Sequence, residues 1–229
     1  MVDFYYKFLP SLDNLPTNMC HIVCAVSPRL TDFQKALASN ESVSEWDEAD
    51  TARRAALYHL RHLSQAWSKV LSRQVYHMSM GNLIDLILSL FFDPIIKAED
   101  ISEVASKFVH SLLLDLGRGG AEMFLVDSSQ GGAMGGDGDM SARHNHQVAA
   151  SAENDAQQRR FTLTKKYSAL FDKSQAVRQF MTMRLTEVER GLEEGVFCSV
   201  TAKELMHLIP AAFDHSEQRT VLLNALASK

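Results

Sequence analysis

Apolar residues set the first pattern along this chain. Leu57, Leu60, Leu63, Trp67, Val70 and Leu71 recur at spacings of three and four, which predicts a helix with one apolar face. The run from 83 to 92 (Leu-Ile-Asp-Leu-Ile-Leu-Ser-Leu-Phe-Phe) is apolar on nearly every side, as in a helix buried among others, and Asp93-Pro94 is expected to close it. Asp100-Ile101-Ser102-Glu103 reads as an acidic N-cap with a carboxylate three residues on. From there Ile101, Val104, Ala105, Phe108, Val109, Leu112, Leu113 and Leu116 make one stripe, which Gly117 is expected to end.

Further on, Val177, Phe180, Met181, Leu185, Val188 and Leu192 form another stripe, ended near Gly191 or Gly195. Thr201-Ala202-Lys203-Glu204 has the form of a capping box, opening a helix with Leu205, Leu208, Ile209 and Ala212 on one side and a proline, Pro210, that should kink it. Asp214-His215-Ser216-Glu217 reads as one more capped start, leading into Val221, Leu222, Ala225 and Leu226. The β-like runs at 123–126 and 195–200 are too short to compete, and no repeat of fixed period is present. The fold class expected is all-α: an elongated antiparallel helical bundle with a disordered glycine-rich loop.

Glycine divides the chain. Eight of its eleven glycines lie between 117 and 138, followed by a stretch rich in serine, asparagine, alanine and glutamine. Such a segment buries too little surface to offset its ordering entropy. The organisation expected is therefore a helical region at 1–116, a flexible loop at 117–160 and a C-terminal helical region at 161–229 packing on the first.

Composition narrows the function classes. The 229 residues are 46% apolar, ordinary for a globular protein, and the net charge of −5 argues against a surface that tracks nucleic acid. The longest basic grouping, Arg159-Arg160 with Lys165-Lys166, reads as a solvated face or linker. Cys20, Cys24 and Cys198 form no disulfide framework, which favours a reducing compartment. The acidic start Met1-Val2-Asp3 does not suit a signal peptide, and the apolar run at 83–92 is too short to span a bilayer and carries Asp85. A soluble, cytosolic protein is expected.

Candidate chemistry fails on spacing or context. His59-x-x-His62 would place two imidazoles one helical turn apart, without a third ligand at a supporting distance. His144-Asn145-His146, near Asp137 and Asp139, lies in the expected loop. Cys20 and Cys24 have C-x3-C spacing, and a zinc ribbon would need a second pair where only Cys198 remains. Gly136-Asp137-Gly138-Asp139 is similar in outline to a calcium loop, yet Ala142 stands at the glycine position and Val148 at the closing carboxylate. Gly117-Arg118-Gly119-Gly120 follows a helix where a phosphate loop follows a strand, and it lacks the Lys-Ser/Thr pair. No catalytic residue, cofactor site or metal site is assigned.

Several segments together resemble the C-terminal region of the Zeste-white ten family, the kinetochore and membrane-tethering subunit that partners Rod and Zwilch. His59-Leu60-Arg61-His62-Leu63-Ser64-Gln65-Ala66-Trp67-Ser68-Lys69-Val70-Leu71 resembles the family helix with Leu-x-x-Leu, a tryptophan and Val-Leu. Val75-Tyr76-His77-Met78-Ser79-Met80-Gly81-Asn82-Leu83 is similar to its aromatic-x-x-x-Met-Gly-x-Leu segment, and Glu99-Asp100-Ile101-Ser102 to its Glu-Asp-Ile-Ser helix start. Leu208-Ile209-Pro210-Ala211-Ala212-Phe213-Asp214-His215-Ser216-Glu217-Gln218-Arg219 resembles its Leu-Ile-x-Ala-Leu-Phe-x-x-Thr-Glu-x-Arg ending, and Asn18-Met19-Cys20 its Asn-Asn-Cys stretch. Two departures accompany the likeness. The family's N-terminal part, which joins the tethering subunits, has no counterpart in these residues, and the glycine-rich stretch reads as an insertion.

The resemblance implies a tethering-complex type of bundle and a non-enzymatic scaffold, acting in Golgi-to-ER vesicle tethering and in the mitotic spindle checkpoint. Its partners would be Rod- and Zwilch-like proteins and tethering-complex subunits, with no direct nucleic-acid contact and only indirect membrane association. The location implied is cytoplasmic, peripheral at the endoplasmic reticulum, and at the kinetochore in mitosis. The residues that touch each partner are not assigned. The alternatives are an unrelated helical adaptor that binds peptides in a groove, and an all-α enzyme with a site assembled in space.

Overall fold

The computed structural model describes residues 37, 43–125 and 142–228, for the backbone alone at 43–45, 48 and 142–152. Among these residues the protein is all-α: α1 (Val43–Trp67), α2 (Arg73–Ile96), α3 (Glu103–Glu122), α4 (Ala142–Tyr167), α5 (Phe171–Phe180), α6 (Leu185–Glu193), α7 (Ala202–Ala212) and α8 (Glu217–Ala227). One apolar core joins them. α3 packs against α1, α4 and α5, while α2 packs against α1, α4, α5 and α7.

The first two helices follow the apolar pattern closely. Leu57, Leu60 and Trp67 of α1 are buried, so the indole is core. Val70 departs from its stripe because α1 ends at Trp67 and the chain turns, which leaves Val70 exposed. α2 buries Leu83, Ile84, Ile87, Leu88, Phe91 and Phe92. By length and hydropathy it could cross a membrane, but most of its apolar window is buried inside the bundle. Asp93-Pro94 does not close it. Pro94 is buried within the helix, which runs on to Ile96.

Helix α3 corrects two readings. Its N-cap is Ser102, not Asp100: Ser102 Oγ accepts from the Ala105 N–H at 3.1 Å. Val104 accordingly faces solvent, while Ala105, Val109, Leu112, Leu113 and Leu116 carry the buried face. Nor does Gly117 end it; the helix continues to Glu122. The glycines here serve close packing. A Cβ on Gly119 would stand 2.6 Å from Leu57 Cδ2 of α1, and one on Gly120 would stand 3.3 Å from Ile84 Cδ1 of α2. A helix interior accepts glycine at about 1 kcal/mol relative to alanine, a cost that helix–helix contact offsets.

The expected loop at 117–160 is thus helical at both flanks, through Glu122 on one side and from Ala142 on the other. Its middle, 126–141, lies outside the described residues, as do Cys20, Cys24, Asp137 and Asp139. α4 crosses α2 at a very close approach: a Cβ on Gly81 would lie 2.1 Å from the Tyr167 carbonyl oxygen, a backbone atom that cannot swing aside.

The stripe from Val177 to Leu192 is two helices, not one. α5 ends at Phe180, and α6 begins after Arg184, whose backbone N–H donates to Glu187 Oε2 at 2.8 Å. Gly191 sits inside α6 with Phe197 against it, and Gly195 makes the terminus with φ 76°. The Val196 N–H then reaches back to the Gly191 carbonyl at 2.8 Å, the bond that closes a helix ending on a left-handed residue. The Thr201 capping box is present, and α7 continues two residues past Pro210. Ser216 caps α8 by accepting from the Arg219 N–H at 3.1 Å, and the buried positions there are Leu222 and Leu226. Val221 and Ala225 fall outside that buried strip, exposed.

Candidate interaction surface

Several polar groups in and around the interior hold helices together. Tyr76 Oη donates to the Met123 carbonyl at 2.5 Å and accepts from Ser64 Oγ at 2.6 Å, joining α1, α2 and the end of α3. Burial pushes the phenol's pKa up, with the Ser64 hydrogen bond opposing. His77 lies beside it among the Tyr76, Phe124 and Tyr167 rings.

Asp85, the one acidic residue in the apolar run, has a task the sequence did not disclose. Its carboxylate accepts from Ser168 Oγ at 2.5 Å, from the Ala169 N–H at 3.0 Å and from the Leu170 N–H at 3.0 Å. Those amides open the turn into α5, so a side chain of α2 satisfies donors that the α5 start leaves without intrahelical partners. The only signal in the sequence was a carboxylate placed where apolar residues surround it.

A third group ties α5 to α7. Lys173 Nζ donates to Glu204 Oε1 at 2.5 Å and lies 5.7 Å from the Phe92 ring centroid. Burial raises the Glu204 pKa, but bonds from Lys173 and from Thr201 outweigh it and hold the carboxyl below its ordinary value. α3 is fastened to α5 by Ser106 Oγ on the Met181 carbonyl at 2.7 Å and by His110 Nδ1 on the Arg178 carbonyl at 3.0 Å.

The candidate residues that fall among the described ones are not brought together. His59 and His62 lie on α1 around Tyr58, with ring centroids 5.8 and 4.3 Å from its own. Cys198 is free and exposed. Lys165 pairs with Asp172 at 2.9 Å, which raises its pKa. Gly117, Gly119 and Gly120 are buried packing positions, which leaves no cradle for a phosphate. Among the described residues, no group of three or more His, Cys, Asp or Glu could hold a metal ion.

Among the described residues, two of the accessible surfaces bear on partner binding. One is an open groove of about 870 Å³ where the start of α3, the α5–α6 turn and the α7–α8 turn meet. Ile101, Phe180 and Phe213 are part of its apolar lining, and Asp100, Glu103, Lys107, Arg184, Asp214 and Arg219 carry its charges. Arg219 is held by the Phe213 carbonyl at 2.7 Å, so its charge also secures the α7–α8 turn. Across the same junction the Ile101 N–H donates to the Ala211 carbonyl at 2.7 Å. The second surface is the outer face of α1, where Arg54, Tyr58, Arg61 and His62 are all exposed.

Comparison with known proteins bears on this architecture. Residues 51–127 match a family model described as the ZW10 C-terminal helical domain. That span takes in nearly all of α1 beyond its first two turns, all of α2 and all of α3, with three of the segments that carry the Zeste-white ten resemblance. The match supports the Zeste-white ten resemblance over this part of the chain. The segments at 18–20 and 208–219 fall outside the match. No curated protein matches the chain.

Proposed function

We propose, from the ZW10 C-terminal helical domain at residues 51–127, that the chain is a scaffold subunit that works by protein contacts and catalyses no reaction. The family match carries the reading. The interior agrees with it, because Tyr76, Asp85, Lys173 and Glu204 are all engaged in joining helices. The chain is a Zeste-white-ten-like scaffold. Its role is in Golgi-to-ER vesicle tethering and in the spindle checkpoint, with Rod- and Zwilch-like proteins and tethering-complex subunits as partners. Cytoplasmic placement, peripheral at the endoplasmic reticulum and at the kinetochore in mitosis, belongs to the same proposal.

The mechanism is mechanical. Long helices with a shared core resist bending, so a partner held on one surface is positioned relative to a partner held on another. The polar ties between helices fix their register. The test is affinity purification of the full chain from dividing and from interphase cells. Rod- or tethering-type subunits in stoichiometric amount are expected. Purification without protein partners, together with a stoichiometric nucleotide or metal, would replace the scaffold by an enzyme.

A further inference from the structure

The outer face of α1 carries one step beyond this, resting on the scaffold reading. We propose that Arg54, Tyr58, Arg61, His62 and Lys69 form a docking face for an acidic helical segment of a partner protein.

Charge is the first argument. Residues 51–84 contain no Asp or Glu, although 28 of the 229 residues are acidic and the chain is net negative. Arg53, Arg54, Arg61, Lys69 and Arg73 all fall in that stretch. Helical spacing then gathers Arg54, Tyr58, Arg61 and His62 on the side opposite Leu60, with Lys69 just past the helix end. Asp50 engages both Arg53 and Arg54, and Glu122 reaches Arg61 only at 3.3 Å between two exposed side chains. An exposed pair of that kind is worth little and is readily exchanged for a better carboxylate.

Geometry is the second. Tyr58 is 59% exposed, yet its ring is braced edge-on against His62. A braced, exposed tyrosine among arginines is the composition of an interface hot spot, because little side-chain freedom remains to be lost on binding. From 54 to the helix end at 67 the axis advances about 20 Å at 1.5 Å per residue, enough to lie along more than three turns of a partner helix.

The alternatives fit less well. A bilayer-bound helix inserts its apolar side, but Ala52, Ala56, Leu60 and Trp67 of α1 are buried in the core. Nucleic acid would meet a short stripe on a protein of net charge −5. Carboxylates on a protein helix answer both the charge and the length, and their approach is steered by the same field.

Photocrosslinking from benzoylphenylalanine at position 58 of the full chain, in complexes purified with their partners, tests this, with the same probe at the exposed Val221 of α8 as reference. Cross-links from 58 are expected in partner segments of net negative charge. A synthetic peptide of the captured segment should bind the full chain, more weakly as salt rises. Tyr58→Ala with Lys69→Glu should weaken it at least about tenfold while the melting curve stays put, since both side chains are exposed. Intact complexes with no cross-link from 58, or with cross-links only to neutral or basic segments, overturn the docking face and leave the scaffold reading standing. So does equal Lys69-dependent binding to phosphatidylserine vesicles or to a single-stranded oligonucleotide. Failure to recover any protein complex removes the scaffold reading and the docking face with it.

Discussion

The family-matched helices and the four that close the chain are stabilised in different ways. α1, α2 and α3 are 25, 24 and 20 residues long, and their buried faces are continuous. α5 to α8 are 9 to 11 residues each, and several of their boundaries are made by specific devices: the Asp85 carboxylate, the Glu187 carboxylate on the Arg184 N–H, the left-handed Gly195, the Thr201 box and the Ser216 cap. Short helices are marginal on their own, so they depend on caps and on the neighbours they pack against. Long apolar stripes set the frame, and local polar chemistry divides what is attached to it.

If the two regions share one core, damage to either should be felt by both. Trp67→Ala in α1 and Phe180→Ala in α5 are each expected to cost about 3–5 kcal/mol, because both rings are buried in the same apolar cluster. Thermal unfolding followed by circular dichroism should show one transition shifted down in both variants. A second transition that only Phe180→Ala moves would split the molecule into two independently melting parts.

Asp85→Ala sharpens the comparison, since this residue belongs to the long-helix region but serves the short one. Losing three hydrogen bonds to a charged acceptor should cost about 2–3 kcal/mol. Amide exchange should accelerate at the α5 start more than in α2 itself. Uniform acceleration in both helices would mean that the carboxylate acts only through the core.

What was legible in the sequence follows the same division. The spacing of Leu57, Leu60 and Trp67 and the all-round apolar run of α2 gave the right elements, because burial imposes a period on many residues at once. Thr201 was readable as a cap, and a capped start was readable at 214–217 without fixing Ser216 as the cap, because a cap is local. The errors fall where a distant partner decides. Gly117 and Pro94 looked like stops, but close packing and burial keep them inside helices. The break between Phe180 and Leu185 left the apolar stripe unbroken, so periodicity could not reveal it. Asp85 named no partner, since its acceptor role depends on residues 168–170. The α1 face was hidden because an absence of acidic residues is a weaker signal than a motif.

A smaller effect is expected at the α7 boundary. Thr201→Ala removes the hydroxyl that accepts from the Glu204 N–H and should cost about 1 kcal/mol. Its exchange signature should stay within the first turn of α7, whereas the Trp67→Ala change spreads through the bundle. Spread of the Thr201→Ala effect into α1 would show that the short helices are not separable by their caps.

The smallest effect concerns pH. Glu204 has a folded pKa held below its ordinary value by Lys173 and Thr201 against the cost of burial. A depressed carboxylate binds its proton less readily in the folded state than in the unfolded one. Its contribution is therefore present above the unfolded value of about 4.3 and is lost as pH falls through the lowered folded value. Glu204→Gln keeps the shape but carries no charge to titrate, so the acid limb of stability against pH should flatten slightly below about pH 4.5. Glu103, lowered by Lys107 at a fully exposed pair, provides the contrast within the family-matched region. There the ion pair is screened by solvent, and Glu103→Gln should leave the acid limb nearly unchanged. Equal flattening by the two substitutions in urea titrations across pH 3 to 6 would mean that the partial burial of the Lys173–Glu204 tie adds nothing to the short-helix region.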